Sequence, residues 1–394
     1  MIVLSGADVV LPDRVMSGGT VVLDGDRIVD LLPGERPAGE PARHFDLRDC
    51  YLVPGFIDVH VHGAHGTDVM EGPAGVQTVA KALTRHGVTA FCPTTIACTP
   101  AALRATLNAV REARTSPLAG GARVLPAHLE SNFINPDFKG AQPLECLRSP
   151  TGPSPDGAFT GGEILDEIAA ARPDVGILTV ASELDGALDL IRDLVAHGHH
   201  VSLGHSGATY EQGMAGIEAG ATQATHLFNR MPPLGHRAPG LAAAILERGD
   251  VVAELVCDGV HVHPAMVSIV VAAKRPSCVM AITDGTAGSG LPRGSRSTLG
   301  GRPITVGDAA YLADGTIAGS VLTMDVAFAR LVTTMGLSLV DAAILCSTTP
   351  ARALRLQGFG AIAPGATADL TVLDRDYRVV HTFIAGAVAW TARS

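Results

Sequence analysis

The chain has 394 residues, of which 47% are hydrophobic and 17% are charged, and this composition excludes an intrinsically disordered protein. A net charge of −10 argues against nucleic acid as the main partner. The seven cysteines include no Cys-x-x-Cys pair, the first residues, MIVLSGADVVLPD, do not resemble a signal peptide, and no apolar run is long enough to span a bilayer. We therefore expect a cytoplasmic protein that does not bind membranes.

Short β-type runs dominate both ends of the chain. Residues 20–34, TVVLDGDRIVDLLPG, place an Asp-Gly turn between two apolar runs, which is typical of a β-hairpin. Residues 360–390 likewise consist of short β-type runs separated by turn residues, and they show no helical period. Because chain termini often lie close together, we predict that residues 1–53 and 356–394 form one small β-sandwich domain.

The middle of the chain alternates short apolar runs with Ala-rich segments of helical period, at residues 74–87, 163–173 and 186–198. This alternation predicts a parallel sheet connected by helices. Eight β-type runs predict an α/β fold, a (β/α)₈ TIM-type barrel over residues 54–355, with its chemistry at the C-terminal ends of the strands. The runs are FIDVHVHG, VTAFCPTT, RVLPAHLE, GILTVASE, HVSLGHS, TQATHLFN, VVAELVCDGVH and CVMAITDG.

The first run, within GFIDVHVHG at residues 55–63, carries polar residues on one face of a strand. Alternate side chains of a strand point to opposite faces. Asp58, His60 and His62 therefore share one face, and the apolar residues Ile57, Val59 and Val61 share the other. Two neighbouring imidazoles suggest a bound metal ion, and a solvated surface strand is the alternative.

Potential metal ligands recur at or near the ends of six of the eight runs. Packing explains a single buried histidine, but it poorly explains one such group per strand around a ring, so a metal centre is the better interpretation. The residues are His60, His62, Glu130, His205, His226, His261 and Asp284, with Glu183 as a further acid.

Longer motifs follow in a fixed order along nearly the whole chain: PGFIDVHVHG, HLE with FINPDFKGA, GHSGATYEQ, ATHLFNRM, APGLAAAIL, DGVHV, TDG, GSVLTM and TTPARALRL. In these motifs the chain resembles the N-acetylglucosamine-6-phosphate deacetylase family of the amidohydrolase superfamily. The resemblance implies a (β/α)₈ metal hydrolase with a small β domain built from both chain ends.

The resemblance also implies roles for individual residues. A divalent transition metal, zinc by preference with iron as the alternative, would be held by Glu130, His205 and His226, and some members add a second ion at His60 and His62. Asp284 matches the catalytic acid/base. The matches to substrate-binding positions are Gln142, Asn229, Arg230, Arg237, His261 and Ala318, and Arg237 is expected to reach the neighbouring site of a homodimer.

Three departures from the family lie near these motifs. The family usually has Glu-Gly-Pro where this chain has Glu130-Ser131-Asn132, a histidine at the position of Gln142, and a small residue at the position of Arg230. We expect these changes on the substrate side of the site. Gln142 would donate to the substrate carbonyl without carrying charge, and a solvated loop position is its alternative.

The predicted function is removal of the N-acetyl group from an amino-sugar phosphate, with N-acetylglucosamine 6-phosphate as the preferred substrate and glucosamine 6-phosphate and acetate as products. Ser131, Asn132 and Gln142 motivate an alternative, a divergent amidohydrolase for another N-acyl or cyclic amide, with low activity on the family substrate. A barrel that has lost catalysis and serves in binding is a second alternative.

Overall fold

The structure, a computed structural model, describes residues 1–34 and 43–392. The remaining parts of the predicted β domain, residues 35–42 and 393–394, lie outside the described residues. The strands in chain order are β1 Ile2–Val10, β2 Val15–Asp24, β3 Arg27–Leu32, β4 Arg43–Asp46, β5 Tyr51–Pro54, β6 Phe56–Val61, β7 Gly63–Ala64, β8 Thr67–Asp68, β9 Val88–Thr95, β10 Arg123–Val124, β11 Ala127–Leu129, β12 Val175–Val180, β13 His200–Leu203, β14 Gln223–Ala224, β15 Val252–Val256, β16 Val279–Ile282, β17 Arg296–Leu299, β18 Arg302–Val306, β19 Ala310–Tyr311, β20 Leu370–Leu373, β21 Val379–Ile384 and β22 Ala387–Thr391.

The predicted barrel is present, and each of the eight predicted runs contributes to it. Strand β6 pairs with β9, β9 pairs with β10 and β11, and the order then follows the chain from β11 to β16. All these pairs are parallel. The third run is split into β10 and β11 around Pro126, which has no N–H to donate to a neighbouring strand.

The barrel closes between its last and first strands, just beyond the end of β16. The backbone N–H of Asp284 donates to the carbonyl of His60 over 2.9 Å, and the N–H of His62 donates to the carbonyl of Gly285 over 2.7 Å. This closure places Asp284 beside the two histidines of β6.

Helices alternate with the barrel strands, and the three helical segments predicted from the sequence are present as α1, α3 and α4. Two helix starts carry a capping box: Thr160 with Glu163 begins α3, and Thr209 with Gln212 begins α5. The helices are α1 Pro73–Leu83, α2 Pro100–Thr115, α3 Gly161–Ala170, α4 Ala187–Ala196, α5 Tyr210–Glu218, α6 Gly240–Glu247, α7 Pro264–Lys274, α8 Met324–Thr333, α9 Leu339–Ala343 and α10 Thr349–Ala353.

The two chain ends form a separate, mostly antiparallel sheet, as predicted. Its order is β22-β21-β20-β5-β1-β2-β3, with β4 beside β1, so β20 from the C-terminal end pairs with β5 from the N-terminal end. The predicted hairpin joins β2 to β3 through Gly25, whose φ of 55° lies in the left-handed region that glycine tolerates. A core of its own, including Leu4, Leu52 and Phe383, lies beneath this sheet.

The division into residues 1–53 with 356–394 and residues 54–355 remains a proposal. Pro54 is the last residue of β5 and pairs with Leu370 in the sheet of the chain ends. This pairing favours a boundary one residue later than the sequence predicted.

A three-stranded antiparallel sheet, β17-β18-β19, was not predicted. It is inserted between β16 and α8 and packs Leu299, Ile304 and Ala310 against Ala141 and Ala318. The insertion therefore covers one side of the C-terminal end of the barrel.

Within residues 1–34 and 43–392, no helix combines the length and the apolar character that crossing a bilayer requires.

Candidate active site

A cavity of about 510 Å³ lies at the C-terminal ends of the barrel strands. Groups from β11, β13, β14 and β16, and from the inserted sheet, line it. Among the residues predicted from the sequence, those that line the cavity are His62, Glu130, Gln142, His205, His226, Asn229, Arg230, His261, Asp284 and Ala318.

The three predicted ligands of the main metal converge in this cavity. Nε2 of His205 lies 2.8 Å from Oε1 of Glu130, and Nε2 of His226 lies 2.9 Å from the same oxygen. The two imidazole Nε2 atoms are 3.1 Å apart. All three side chains are buried, with at most 5% of each exposed.

The backbone at the strand ends is unusual. His205, His226 and Asp284 each follow the last residue of a strand by two positions, and their φ angles are 47°, 29° and 50°. The left-handed region is uncommon for residues other than glycine and costs conformational energy. These three turns aim their side chains into the cavity, and the surrounding barrel holds them there.

His60 and His62 form a second pair of converging imidazoles. Their Nε2 atoms are 3.3 Å apart, and Oδ1 of Asp284 lies 3.4 Å from the first and 3.3 Å from the second. Both rings are buried, and only His62 reaches the cavity itself. Asp284 therefore faces this pair, and the Glu130 carboxylate approaches the same two Nε2 atoms at 3.9 Å and 3.7 Å.

The donor set fits a metal ion. Nδ1 of His205 is 2.8 Å from the carbonyl of Phe138, and Nδ1 of His62 is 3.1 Å from the carbonyl of Thr94, so both atoms act as donors. A neutral imidazole that donates through Nδ1 keeps a lone pair on Nε2, which is the atom that binds a metal. Among the described residues, two of three groups of potential ligands contain the predicted ones: Glu130 with His205 and His226, and His60 with His62 and Glu130; the third is His60 with His128 and Glu254.

Burial and neighbouring charges set the protonation states in opposite directions. Burial lowers the pKa of His60 to about 3. Burial acts in the same direction on His62, but its hydrogen bond to Asp284 and the charge of Glu130 raise the pKa of His62 to about 9. These shifts favour a proton on Nε2 of His62, which a metal ion bound to that atom would have to displace.

Both carboxylates of the site are held in the ionised form. Burial opposes ionisation of Glu130, but His205 and His226 hold its pKa well below the ordinary value. Burial likewise opposes ionisation of Asp284, but the hydrogen bond from His62 and the charge of that imidazole lower its pKa. Two ionised carboxylates together with the four imidazoles of His60, His62, His205 and His226 provide the donor atoms that a divalent cation requires.

His261 stands at the cavity wall near Asp284. Its Nδ1 donates to Oδ2 of Asp258 over 2.6 Å, and its Nε2 lies 4.0 Å from Oδ2 of Asp284. The Asp258 contact fixes the ring, so that Nε2 is presented to the cavity.

The other predicted substrate-binding residues differ in position. Asn229, Arg230 and Ala318 line the cavity, and Ala318 does so from the segment that follows the inserted sheet. Arg237 is exposed and lines a different cavity of about 370 Å³, beside α5 and the start of α6. The structure therefore does not bring Arg237 into the site of its own chain.

Gln142 is not a solvated loop residue, because only 3% of it is exposed. Its Oε1 accepts the backbone N–H of Ala97 over 2.7 Å, and its Nε2 donates to Oε2 of Glu130. In this structure the Gln142 amide is therefore bonded to a candidate metal ligand.

The expectation that Ser131 and Asn132 face the substrate is wrong. Ser131 Oγ donates to the carbonyl of Thr179 over 2.5 Å, and Nδ2 of Asn132 donates to the carbonyls of Cys98 and Cys146, each over 2.7 Å. Both side chains are buried and neither lines the cavity. They satisfy backbone carbonyls behind the site, where an unpaired buried carbonyl would be costly.

Glu183, the further acid at the fourth strand, supports the site from outside the cavity. Its carboxylate accepts from Asn135 Nδ2 at 2.9 Å, Ser206 Oγ at 2.6 Å and the N–H of Gly207 at 2.5 Å. It thereby braces the turn that carries His205.

Sequence analysis missed Glu254, which is fully buried on β15. Its Oε2 lies 3.0 Å from Nδ1 of His60, and it also accepts the backbone N–H of His226. A lone acid inside the apolar run VVAELV is a signal that could have identified it, because a carboxylate is almost never buried without a partner.

Known proteins are similar to this chain over nearly its whole length. The model of the amidohydrolase family matches residues 51–389. The mouse N-acetylglucosamine-6-phosphate deacetylase is 36% identical over 96% of this chain and 94% of its own length. An N-acetylgalactosamine-6-phosphate deacetylase of Escherichia coli O157:H7 is 35% identical over 87% of this chain and 89% of its own length.

A solved structure extends the similarity to the whole fold. The N-acetyl-D-glucosamine-6-phosphate deacetylase of Mycobacterium smegmatis, in an aspartate-to-alanine variant complexed with N-acetyl-D-glucosamine-6-phosphate, aligns with a TM-score of 0.88. It is 33% identical, and the alignment covers 99% of each chain. The chain therefore belongs to the amidohydrolase family and, within it, to the N-acetylglucosamine-6-phosphate deacetylase family.

Proposed function

We propose that this protein is a metal-dependent deacetylase of an N-acetylated amino-sugar phosphate, with N-acetylglucosamine 6-phosphate as the first substrate and its galactosamine counterpart as the second. The observation that carries the proposal is the convergence of Glu130, His205 and His226 in a cavity that Asp284 also lines. The products would be the free amino-sugar phosphate and acetate.

The residues divide the work of amide hydrolysis between them. A divalent transition metal held by Glu130, His205 and His226 would supply a Lewis acid for the amide carbonyl and make a water molecule more acidic. Asp284, ionised and facing the cavity, would take a proton from that water and return it to the departing amine. In the one-metal form, His62, which donates to Asp284, would hold the carboxylate in the orientation that this transfer needs.

The cavity wall would bind the sugar. His261 presents Nε2 toward the region near Asp284, and Asn229 and Arg230 lie on the wall beside His226. A guanidinium matches the geometry of a phosphate, so Arg230 would attract the anionic end of the substrate.

The metal is proposed to be zinc, with iron as the alternative. Two imidazoles and one carboxylate form a typical catalytic zinc set with open positions. The pair His60 and His62 would hold a second ion in a two-metal form, with Glu130 as the carboxylate between the two groups.

We further propose a cytoplasmic homodimer in which Arg237 completes the phosphate site of the neighbouring subunit. Among the residues that the structure describes, the exposed Arg237 guanidinium has no hydrogen-bond or ion-pair partner and lies outside the cavity of its own chain. The seven cysteines are all unpaired, as in a reducing compartment.

A different N-acyl substrate is the second candidate, and the state of Gln142 favours it. An amide already bonded to Glu130 would stabilise the acyl carbonyl oxygen less by hydrogen bonding than a free cationic side chain would. The buried positions of Ser131 and Asn132 remove the other two reasons for this alternative.

One assay tests the function. Protein purified without chelator is incubated with N-acetylglucosamine 6-phosphate, N-acetylgalactosamine 6-phosphate, both unphosphorylated sugars and N-formyl and N-propionyl analogues, and release of acid and amine is measured. We expect the phosphorylated N-acetyl sugars to react fastest, loss of activity on chelation and recovery with zinc. Bound metal without turnover of any N-acetyl sugar would exclude the deacetylase, and faster turnover of another acyl group would favour the second candidate.

A further inference from the structure

The Gln142 amide has a defined orientation. Its Oε1 accepts the N–H of Ala97 over 2.7 Å, and a backbone N–H can only donate, so the oxygen must be at this end. Nε2 is thereby directed toward Glu130. The loop around it is also fixed, because the N–H of Gln142 donates to the carbonyl of Lys139 over 3.0 Å and the Arg302 guanidinium donates to the carbonyl of Ala141.

The two oxygens of Glu130 have different surroundings. Oε1 faces the Nε2 atoms of His205 and His226 at 2.8 Å and 2.9 Å. Oε2 receives the Gln142 donor and lies 3.7 Å from Nε2 of His62. A carboxylate held at one oxygen by a fixed amide cannot rotate freely, so its other oxygen stays directed at the two histidines.

We propose that Gln142 is a positioning residue for the metal ligand Glu130, and that its main role is not to bind the acyl carbonyl of the substrate. This inference rests on the proposed metal-dependent function. Hydrogen bonds that orient a ligand raise metal affinity, whereas a donor to the reacting carbonyl would raise the rate at a given metal occupancy. The two roles therefore affect different measured quantities.

The second N–H of the Gln142 amide is the reason why the two roles must be measured separately. An amide nitrogen has two donors, and one remains after the bond to Glu130. Gln142 also lines the cavity, so that N–H could reach a substrate. Substitution by methionine removes both donors at nearly constant size. Zinc affinity and kcat of this variant then distinguish orientation of Glu130 from binding of the substrate carbonyl.

The test compares Gln142→Met with the wild type and with Gln223→Met. Gln223 is 1% exposed, and its amide has no hydrogen-bond partner among the described residues, so it is a buried glutamine that contacts neither Ala97 nor Glu130 and lies outside the cavity. Zinc affinity is measured by competition with a chromophoric chelator in the absence of substrate. The kcat and KM are then measured on N-acetylglucosamine 6-phosphate at saturating zinc.

We expect Gln142→Met to bind zinc about 10- to 100-fold more weakly, the usual effect of removing a partner that orients a metal ligand. Its kcat at saturating zinc should stay within a few-fold of wild type, and Gln223→Met should match wild type in both measurements. If Gln142→Met does not fold, Gln142→Asn, whose shorter amide cannot bridge Ala97 and Glu130, has the same expected result.

Unchanged zinc affinity in the Gln142 variant would overturn the inference, whether or not kcat falls. A large fall in kcat with unchanged affinity would assign Gln142 to the substrate carbonyl instead. The two failures can be distinguished. Wild-type protein that binds no zinc would refute the proposed function, whereas this inference fails only when the variants are compared with a wild type that does bind zinc.

Discussion

Nδ1 of His60 lies 3.0 Å from Oε2 of Glu254, and both side chains are fully buried. The contact makes Nδ1 the donor and leaves the lone pair of His60 on Nε2, which faces His62. The same carboxylate oxygen is 3.3 Å from the backbone N–H of His226. One buried acid thus orients a ligand candidate in each of the two metal groups.

Glu254→Leu should lower the free energy of unfolding by about 1–3 kcal/mol, because it leaves the buried N–H of His60 without an acceptor. Urea unfolding of chelator-treated protein measures this without interference from bound metal. Burial raises the pKa of Glu254 to about 7, so Glu254→Gln resembles its neutral form and keeps an acceptor oxygen. We expect the glutamine variant to lose clearly less stability than the leucine variant, and equal losses would show that the hydrogen bond to His60 is unimportant.

Asp284→Asn should lower kcat by roughly 10²- to 10⁴-fold, the usual effect of removing a general acid/base. Zinc bound at Glu130, His205 and His226 should remain, since none of these ligands changes. Asp174→Asn is the matched control, a buried acid paired with Arg111 and Arg114 away from the cavity. Its kcat per folded molecule should equal that of wild type, and near-normal turnover in Asp284→Asn would remove Asp284 from the mechanism.

Asn132→Ala should destabilise the protein and leave substrate preference unchanged. The substitution removes the donor for the carbonyls of Cys98 and Cys146, and each unpaired buried group costs about 1–3 kcal/mol. Thermal unfolding gives the loss of stability, and the ratio of kcat/KM between N-acetyl and N-propionyl substrates gives the preference. A changed ratio in a stable variant would restore Asn132 as a specificity residue.

Much of the fold and the candidate site could be predicted from the sequence. Strands that are buried on both faces leave continuous apolar runs, and this made all eight barrel strands recognisable. The fold then places strand ends together, so His205, His226 and Asp284 could be expected in one cavity before any coordinates were known.

Side-chain direction beyond the strand ends could not be predicted. Whether Asn132 faces substrate or the carbonyl of Cys146 depends on a loop that returns from 14 residues further along the chain. The left-handed turns at His205 and His226 likewise result from tertiary packing, because no glycine or asparagine occupies these positions. The inserted sheet β17-β18-β19 was not predicted because its strands span only two to five residues.

Arg237 is proposed to bind the substrate phosphate in the site of the neighbouring subunit. Arg237→Ala should raise KM for a phosphorylated substrate by about 10- to 100-fold, which corresponds to the roughly 1.5–3 kcal/mol of a charge-assisted contact. KM for the unphosphorylated sugar should change little. Arg192→Ala is the control, since Arg192 is an exposed arginine on α4 that pairs with Asp189, and it should alter neither constant.

Mixed dimers decide which site Arg237 serves. Differently tagged Asp284→Asn and Arg237→Ala chains are coexpressed, and the dimer that carries both tags is isolated and assayed. If Arg237 acts across the interface, the Arg237→Ala subunit keeps its own Asp284 and receives an intact arginine from its neighbour, so the mixed dimer has one native site with a wild-type KM. If Arg237 acts within its own chain, the sole site with an intact Asp284 lacks the arginine and KM stays high. A high KM in the mixed dimer, or a monomer by light scattering, would exclude the shared phosphate site.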